Sequence, residues 1–321
     1  MSNPLISIPP GTCKRAFPRA KTEKNRKGDV TTVNRQTILE ENRDYWTGRA
    51  SGYSEVSRLE LNTAQRQKWK ACLRAELARQ FPDRGFAELR VLEVGTGPGF
   101  FAILLRELGC DVTAIDLTPA MLAQAKENAS TLAGEIRFME MNAEALSFAD
   151  ASFDAVISRN LTWNLPHPEQ ACAEWARVLK PGGLLLNFDA NWYAYLFDRD
   201  AQAAYERDRL NSAEQGVWDQ NVGENFHVMD DIARRLPLSN VRRPDWDLRQ
   251  LGALGLSAEA DESVWRRVWS EEEKLNFAST PLFMVRIIVL TLLARRRDRE
   301  HGRTAFSLPI TAGGTITLYV L

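Results

Sequence analysis

The chain is poor in the residue types that would settle its class at a glance. Its 321 residues include four cysteines, Cys13, Cys72, Cys110 and Cys172, far apart and with no C-x-x-C pair. That spacing argues against a zinc site, so no metal is expected, and against a disulfide framework. It fits a reducing cytoplasm. Charge of one sign is lacking as well. The net charge of −1 gives no general attraction to nucleic acid or to a membrane surface. No apolar run is long enough for a bilayer: the most apolar segment, Leu282 to Ala294, has 13 residues and is interrupted by Arg286, so no membrane span is expected. The first 30 residues lack the apolar stretch of a signal peptide. Histidine occurs three times, at His167, His227 and His301, and no internal repeat is visible. With 44% hydrophobic residues the chain can still bury a substantial core, as one large domain or two.

The richest stretch runs from Leu89 to Asp116, LRVLEVGTGPGFFAILLRELGCDVTAID. An apolar run with β-branched members, Val91 to Val94, suits a buried parallel strand. Gly95, Gly97 and Gly99 follow at every second residue. Phe100, Ile103, Leu104 and Leu108 then recur at helical spacing, with Gly109 placed to end the helix. A second short strand, Val112 to Ile115, ends at Asp116. Glycines admit a tight turn and the close approach of a ligand, the helix N-terminus offers free N–H groups, and the terminal acid can hold a ribose diol. The dinucleotide fingerprint G-x-G-x-x-G is absent, because position 100 is Phe. Glu93 leads the turn instead, which would oppose a pyrophosphate and suits a ligand carrying positive charge.

At Glu93, Gly95, Gly97, Gly99 and Asp116 the chain resembles the class I S-adenosylmethionine (SAM)-dependent methyltransferases. The resemblance continues in Met139 to Phe148, similar to the loop that edges the adenine. Asn142 stands there where the family commonly has an acid. It extends through Phe153-Asp154-Ala155-Val156, similar to the fourth strand's F-D-x-V, and covers Leu89 to Tyr193. It implies an α/β, Rossmann-like doubly wound sheet of seven strands, six parallel and the last antiparallel, closed by a hairpin of Leu256–Val264 and Pro281–Val289. It also implies SAM as cofactor and S-adenosylhomocysteine as product. The cofactor residues it points to are Glu93, Gly95, Thr96, Gly97, Gly99 and Asp116, with Leu117 and Met121 on the adenine face, Asn142, Ala143 and Glu144 around the adenine, and Arg159. The lack of paired thiols argues mildly against an arsenic methyltransferase on this fold.

The flanks suggest a division into a flexible basic arm (1–37), a helical N-terminal lid region (38–88), the SAM-binding core (89–193), a cap or substrate insert (194–248), the end of the core with its hairpin (249–294) and a tail of unassigned role (295–321). In the lid, Leu59, Leu61, Trp69, Leu73 and Leu77 read as the apolar side. Asn42 to Tyr53 resembles a segment that folds over bound SAM, with Tyr45, Trp46 and Tyr53 as covering residues; the alternative is that these rings only pack the first helix onto the sheet. Lys180-Pro181-Gly182-Gly183 reads as a stop and turn before a fifth strand, Leu184 to Phe188. Trp46, Asn160, Trp163, Asn164, Asn191, Trp192 and Tyr193 are the expected substrate residues, forming a cleft with aromatic walls and polar handles. Such a cleft suits a small polar or aromatic metabolite better than a duplex.

Methyl transfer from a sulfonium needs mainly alignment and desolvation, and a general base only where the nucleophile holds a proton at pH 7. His227 and Asp189 are the candidates for catalysis. The expected function is transfer of a methyl group to a small molecule, with no stable nucleic-acid partner and with a homodimer as an option. The alternatives are a tRNA or rRNA methyltransferase using the basic arm, whose Lys14 to Lys27 stretch holds seven Lys or Arg, and a SAM-binding protein without catalysis.

Overall fold

A computed structural model describes residues 35–217 and 226–289, and the backbone of 293–297, 304–310 and 314–320. The basic arm up to residue 34, the cap residues 218–225 and the side chains beyond 289 lie outside the described residues. Two helices open the described chain, α1 (Arg35–Asn62) and α2 (Ala64–Gln80). Then come β1 (Arg90–Val94), α3 (Phe100–Glu107), β2 (Asp111–Asp116), α4 (Pro119–Ala129), β3 (Ile136–Glu140), β4 (Phe153–Arg159), α5 (Pro168–Val178) and β5 (Leu179–Asp189). The cap brings α6 (Arg199–Glu214), α7 (Phe226–Ala233) and α8 (Asp245–Ala253). The core closes with β6 (Ser257–Asp261), α9 (Trp265–Val268), α10 (Glu271–Asn276) and β7 (Phe283–Ile288). Three further strands, β8 (Leu293–Arg297), β9 (Thr304–Ile310) and β10 (Gly314–Val320), form an antiparallel sheet of their own in the order β10-β9-β8, in the tail to which the sequence assigned no structure.

The main sheet runs β3-β2-β1-β4-β5-β7-β6. Strands β1 to β5 are mutually parallel, and β7 is antiparallel to both β5 and β6. This is the expected seven-stranded arrangement, with β6 and β7 as its closing hairpin. Strand alternation divides the core. Val91, Leu184, Leu186 and Phe188 join Trp69, Leu73, Leu77 and Phe101 under α2 and α3. Leu92, Val94, Leu185, Val285 and Ile287 join Trp175 and Val178 of α5 on the other face. The order reverses between β1 and β4, so the crevice beyond their carboxyl ends is where an open α/β sheet binds its ligand.

Two local expectations are corrected. Leu59 is not on the apolar side: it is 46% exposed, because the inward face of α1 carries Ala50, Ser54, Ser57 and Leu61 and position 59 falls off that phase. Lys180 to Gly183 does not break the strand. β5 starts at Leu179, and these residues form an irregularity in its pairing with β4, between the partners of Phe153 and Ala155. Asp154 fixes this corner: it accepts from Arg84, from the Arg90 N–H and from Lys180 at 2.7–3.0 Å.

Candidate active site

The turn after β1 is held open by its own side chains. Gly95, Gly97 and Gly99 all have positive φ, at 71°, 52° and 88°. A Cβ on Gly95 would lie 2.7 Å from Leu161, and one on Gly99 2.9 Å from the Ala125 Cβ. A Cβ on Gly97 would meet only the Tyr53 ring, at 3.6 Å, so this position opens toward the lid. Glu93 is buried, and its Oε2 accepts from Thr96 Oγ1 at 2.5 Å. The Ala102 N–H, in the first turn of α3, also favours its ionised form. Burial pushes the Glu93 carboxyl up to about 8, against the pull of Thr96 and Ala102. Asp116 joins the two strand ends. Its Oδ2 accepts from the Gly97 N–H at 2.8 Å and its Oδ1 from the Thr118 N–H at 2.9 Å. Burial raises its carboxyl pKa as well.

These residues line a cleft of about 1010 Å³ that ends under α1. Glu93, Gly95, Thr96, Gly97, Asp116, Leu117, Met121, Asn142, Ala143, Arg159, Asn160, Asn164, Trp46 and Tyr53 all reach it. Sequence reasoning missed Leu39, Asn42, Arg43, Ser57 and Glu60, which the lid helix adds to the same wall. Their signal was present as helical phase: positions 39, 42, 43, 46, 53, 57 and 60 recur on one face of α1.

A second cavity adjoins the first across Trp46, Tyr53, Glu60, Arg159 and Asn160. Trp163, Trp192 and Tyr193 line it, as expected of acceptor residues, together with Tyr195, Tyr205, Trp269, Glu273 and Phe277, which were not foreseen. Arg159 stands at the junction. Glu60 takes its two terminal nitrogens at 2.5 and 3.1 Å, and its guanidinium lies over Trp69, Phe100 and Phe101 at 4.7–5.5 Å from the ring centres.

Other candidates are placed elsewhere. Asp189 is fully buried and lines neither cavity. Its oxygens accept from Arg243 Nη1 at 2.5 Å, the Trp163 and Ala190 N–H groups and Trp192 Nε1, so it ties strand end to cap and is not presented to an acceptor. His227 is exposed on α7 and lines neither cavity. Asn191 is turned to the Arg243 backbone, donating to its carbonyl and accepting from its N–H. Glu144 receives the His167 N–H and ring nitrogen at 2.6 and 3.0 Å and lies outside the cleft lining. Tyr45 packs edge-on to Trp46, behind the cavity wall. Gly99 serves helix packing and is not a lining residue. Asn142 Oδ1 accepts the Glu144 N–H at 2.9 Å, so it offers an adenine amine only its remaining lone pair.

A family profile described as "Methyltransferase domain" matches residues 92–187, the strands and turns that build the cleft. The core is a class I methyltransferase domain. A demethylmenaquinone methyltransferase of Thermus thermophilus is 41% identical over 102 residues, which cover 31% of this chain and 46% of that protein. A ubiquinone/menaquinone biosynthesis C-methyltransferase of Bartonella tribocorum is 29% identical over 201 residues, covering 60% of this chain and 73% of its own. The chain thus spans less than half the length of the first of these relatives. The solved structure of a SAM-dependent methyltransferase from Aquifex aeolicus aligns over 76% of this chain and 98% of its own, at 17% identity and a TM-score of 0.47.

The methyltransferase domain's cofactor is SAM, and the cleft fits it. Three buried amide oxygens on its lining, Asn42 Oδ1, Asn160 Oδ1 and Asn164 Oδ1, have no partner among the described residues. These oxygens are themselves sealed from solvent, so the fit rests on the open turn, where a Cβ on Gly97 would meet only the Tyr53 ring, and on the acids of the lining. Two acids face it at Glu93 and Asp116, which suits a ligand with a sulfonium. Among the described residues no group of three or more ligating side chains is placed to hold a metal ion, and no helix is long and apolar enough to cross a membrane.

Proposed function

We propose that the chain transfers a methyl group from SAM to a small molecule held in the second cavity. The observation that carries this reading is the pair of adjoining cavities. One is lined by the glycine turn, Glu93 and Asp116, the other by aromatic rings, and Trp46, Tyr53, Glu60, Arg159 and Asn160 are common to both. SAM supplies an electrophilic methyl group on a sulfonium. Asp116 would hold the ribose, Glu93 the turn around the methionine end, and Asn142 with Ala143 the adenine edge. Trp46 and Tyr53 of the lid would close over both ligands and exclude water, which favours displacement at a charged centre.

The quinone methyltransferases among the relatives support a small-molecule acceptor, and the quinone is their own substrate. Among the described residues no histidine lines the second cavity, so proton removal, where the acceptor needs it, would fall to a carboxylate.

The test is incubation with methyl-labelled SAM and a cell extract separated into small-molecule, RNA and protein fractions. Label in the small-molecule fraction, absent with Asp116→Ala, is the expected result. Label confined to RNA or protein contradicts the reading.

A further inference from the structure

The second cavity has a charge that its own residues do not balance. Four of the chain's nine tryptophans and four of its six tyrosines line it, with Phe277, while Val56 and Leu282 are its only aliphatic walls among the described residues. A pocket for an uncharged hydrocarbon needs no such bias. Ring faces carry negative potential and attract cations, by about 0.5–2 kcal/mol for each well-placed ring. Three ionisable chains other than tyrosine line the same space: Arg159, Glu60 and Glu273. Arg159 and Glu60 neutralise each other through two hydrogen bonds. Arg209 lies over Tyr205 and Phe277, 5.0 and 5.8 Å from the ring centres, without lining the cavity, and among the lining residues Glu273 is left over. It is 8% exposed, its Oε2 takes Gln65 Nε2 and the Ser270 N–H, and no cation among the described residues pairs with it. Its Oε1 accepts nothing from them.

We propose that the second cavity recognises an organic ammonium ion, with Glu273 as its counter-charge and the aromatic walls as its cage. This names the acceptor class of the proposed methyltransferase and rests on that reading: for transfer to the nitrogen, the ammonium would first give a proton to the Glu273 carboxylate, and the freed amine lone pair would attack the SAM methyl as S-adenosylhomocysteine departs. A buried carboxylate with two donors and no cation is expensive to ionise. Burial, and then the charge of Glu60, push the Glu273 carboxyl upward, with Arg159 opposing. An incoming ammonium supplies the missing partner. An uncharged acceptor of the same shape leaves Glu273 as it is and packs on the rings without the cation–π attraction. The cavity therefore discriminates by charge more than by size.

The probe pair is phenethylammonium and 2-phenylethanol, which differ only in NH3⁺ against OH. Each is titrated into the full chain saturated with S-adenosylhomocysteine and read by tryptophan fluorescence and calorimetry. The expected result is at least tenfold tighter binding of the ammonium. Glu273→Gln, whose amide oxygen can still accept from Gln65 and the Ser270 N–H, should remove most of that preference and leave the alcohol and S-adenosylhomocysteine affinities within twofold. Equal affinity for the two probes, no binding of phenethylammonium, or a preference that survives Glu273→Gln overturns the inference. The wild-type comparison needs no variant to fold. Failure of S-adenosylhomocysteine itself to bind would instead overturn the methyltransferase reading, so the two failures are distinct.

Discussion

Glu93 shows how a single side chain serves structure and ligand together. It anchors the glycine turn through Thr96 and lines the cleft, and burial holds its carboxyl at about 8 where 4.5 is ordinary. A raised carboxyl means that between those values the native state holds a proton the unfolded chain has lost. Its contribution to stability therefore falls as pH rises through that window. Glu93→Gln should flatten this part of the pH–stability curve, measured by urea denaturation from pH 5 to 8.5. A bound cation favours the ionised form, so SAM binding at pH 7 should release up to about one proton. Calorimetry in phosphate and in Tris would detect it, and Glu93→Gln should abolish it. The glycines separate by the same reasoning. Gly99→Ala, with its Cβ against Ala125 and φ at 88°, should cost about 1–3 kcal/mol. Gly97→Ala, with room at 3.6 Å, should lose less stability and weaken S-adenosylhomocysteine binding. Similar losses of stability in both variants would contradict the distinction.

At the scale of elements, the end of β5 is fixed by a buried trio. Arg243 is 3% exposed and bonds Asp189 of β5 and Asp247 of α8 at 2.5–2.8 Å. Removing it leaves two carboxylates buried, so Arg243→Leu should cost about 3–5 kcal/mol, seen as a lower urea midpoint. A loss below about 1 kcal/mol would show that the trio does not hold the cap. Asp154 predicts the opposite pH sense to Glu93. Burial resists its ionisation, yet Arg84, the Arg90 N–H and Lys180 hold its carboxyl below the usual range. Its stabilisation is complete above the ordinary carboxylate value and is lost as pH falls through the lowered one. Asp154→Asn should accordingly be less stable than wild type at pH 7, with the gap narrowing at acid pH. The elements themselves were largely legible: the apolar runs of β1 and β5, the glycine turn and the terminal Asp116 each follow from local sequence. The aromatic partners of the site were half legible. Trp163 and Trp192 follow strand ends directly, whereas Trp269 and Phe277 arrive with the short helices α9 and α10. Glu273 was hidden by a local meaning, since Ser270-x-x-Glu273 forms a capping box and reads as a helix start. Asp189 was misread because its position after β5 suggests the pocket, while its buried partner Arg243 lies in the cap, 54 residues away.

In the whole molecule, the sheet supplies a rigid floor and the helices a roof. The floor brings Glu93, Asp116 and Arg159 to the carboxyl ends of β1, β2 and β4. The roof is α1, whose one face carries Trp46, Tyr53 and Glu60 over both cavities. Ile38 of α1 packs with Trp163, Tyr193 and Met229 in a third apolar cluster, which joins lid to cap. The proposed cofactor and acceptor sites therefore share one continuous wall, and loss of the first should remove turnover on any acceptor. The measurement closest to this account is calorimetric titration of SAM and S-adenosylhomocysteine into the wild-type chain and Asp116→Ala. Binding by the wild type with one site per chain, weakened at least tenfold in the variant while its thermal unfolding stays cooperative, is the predicted result. Absence of binding by the wild type, or equal binding by both, would contradict it.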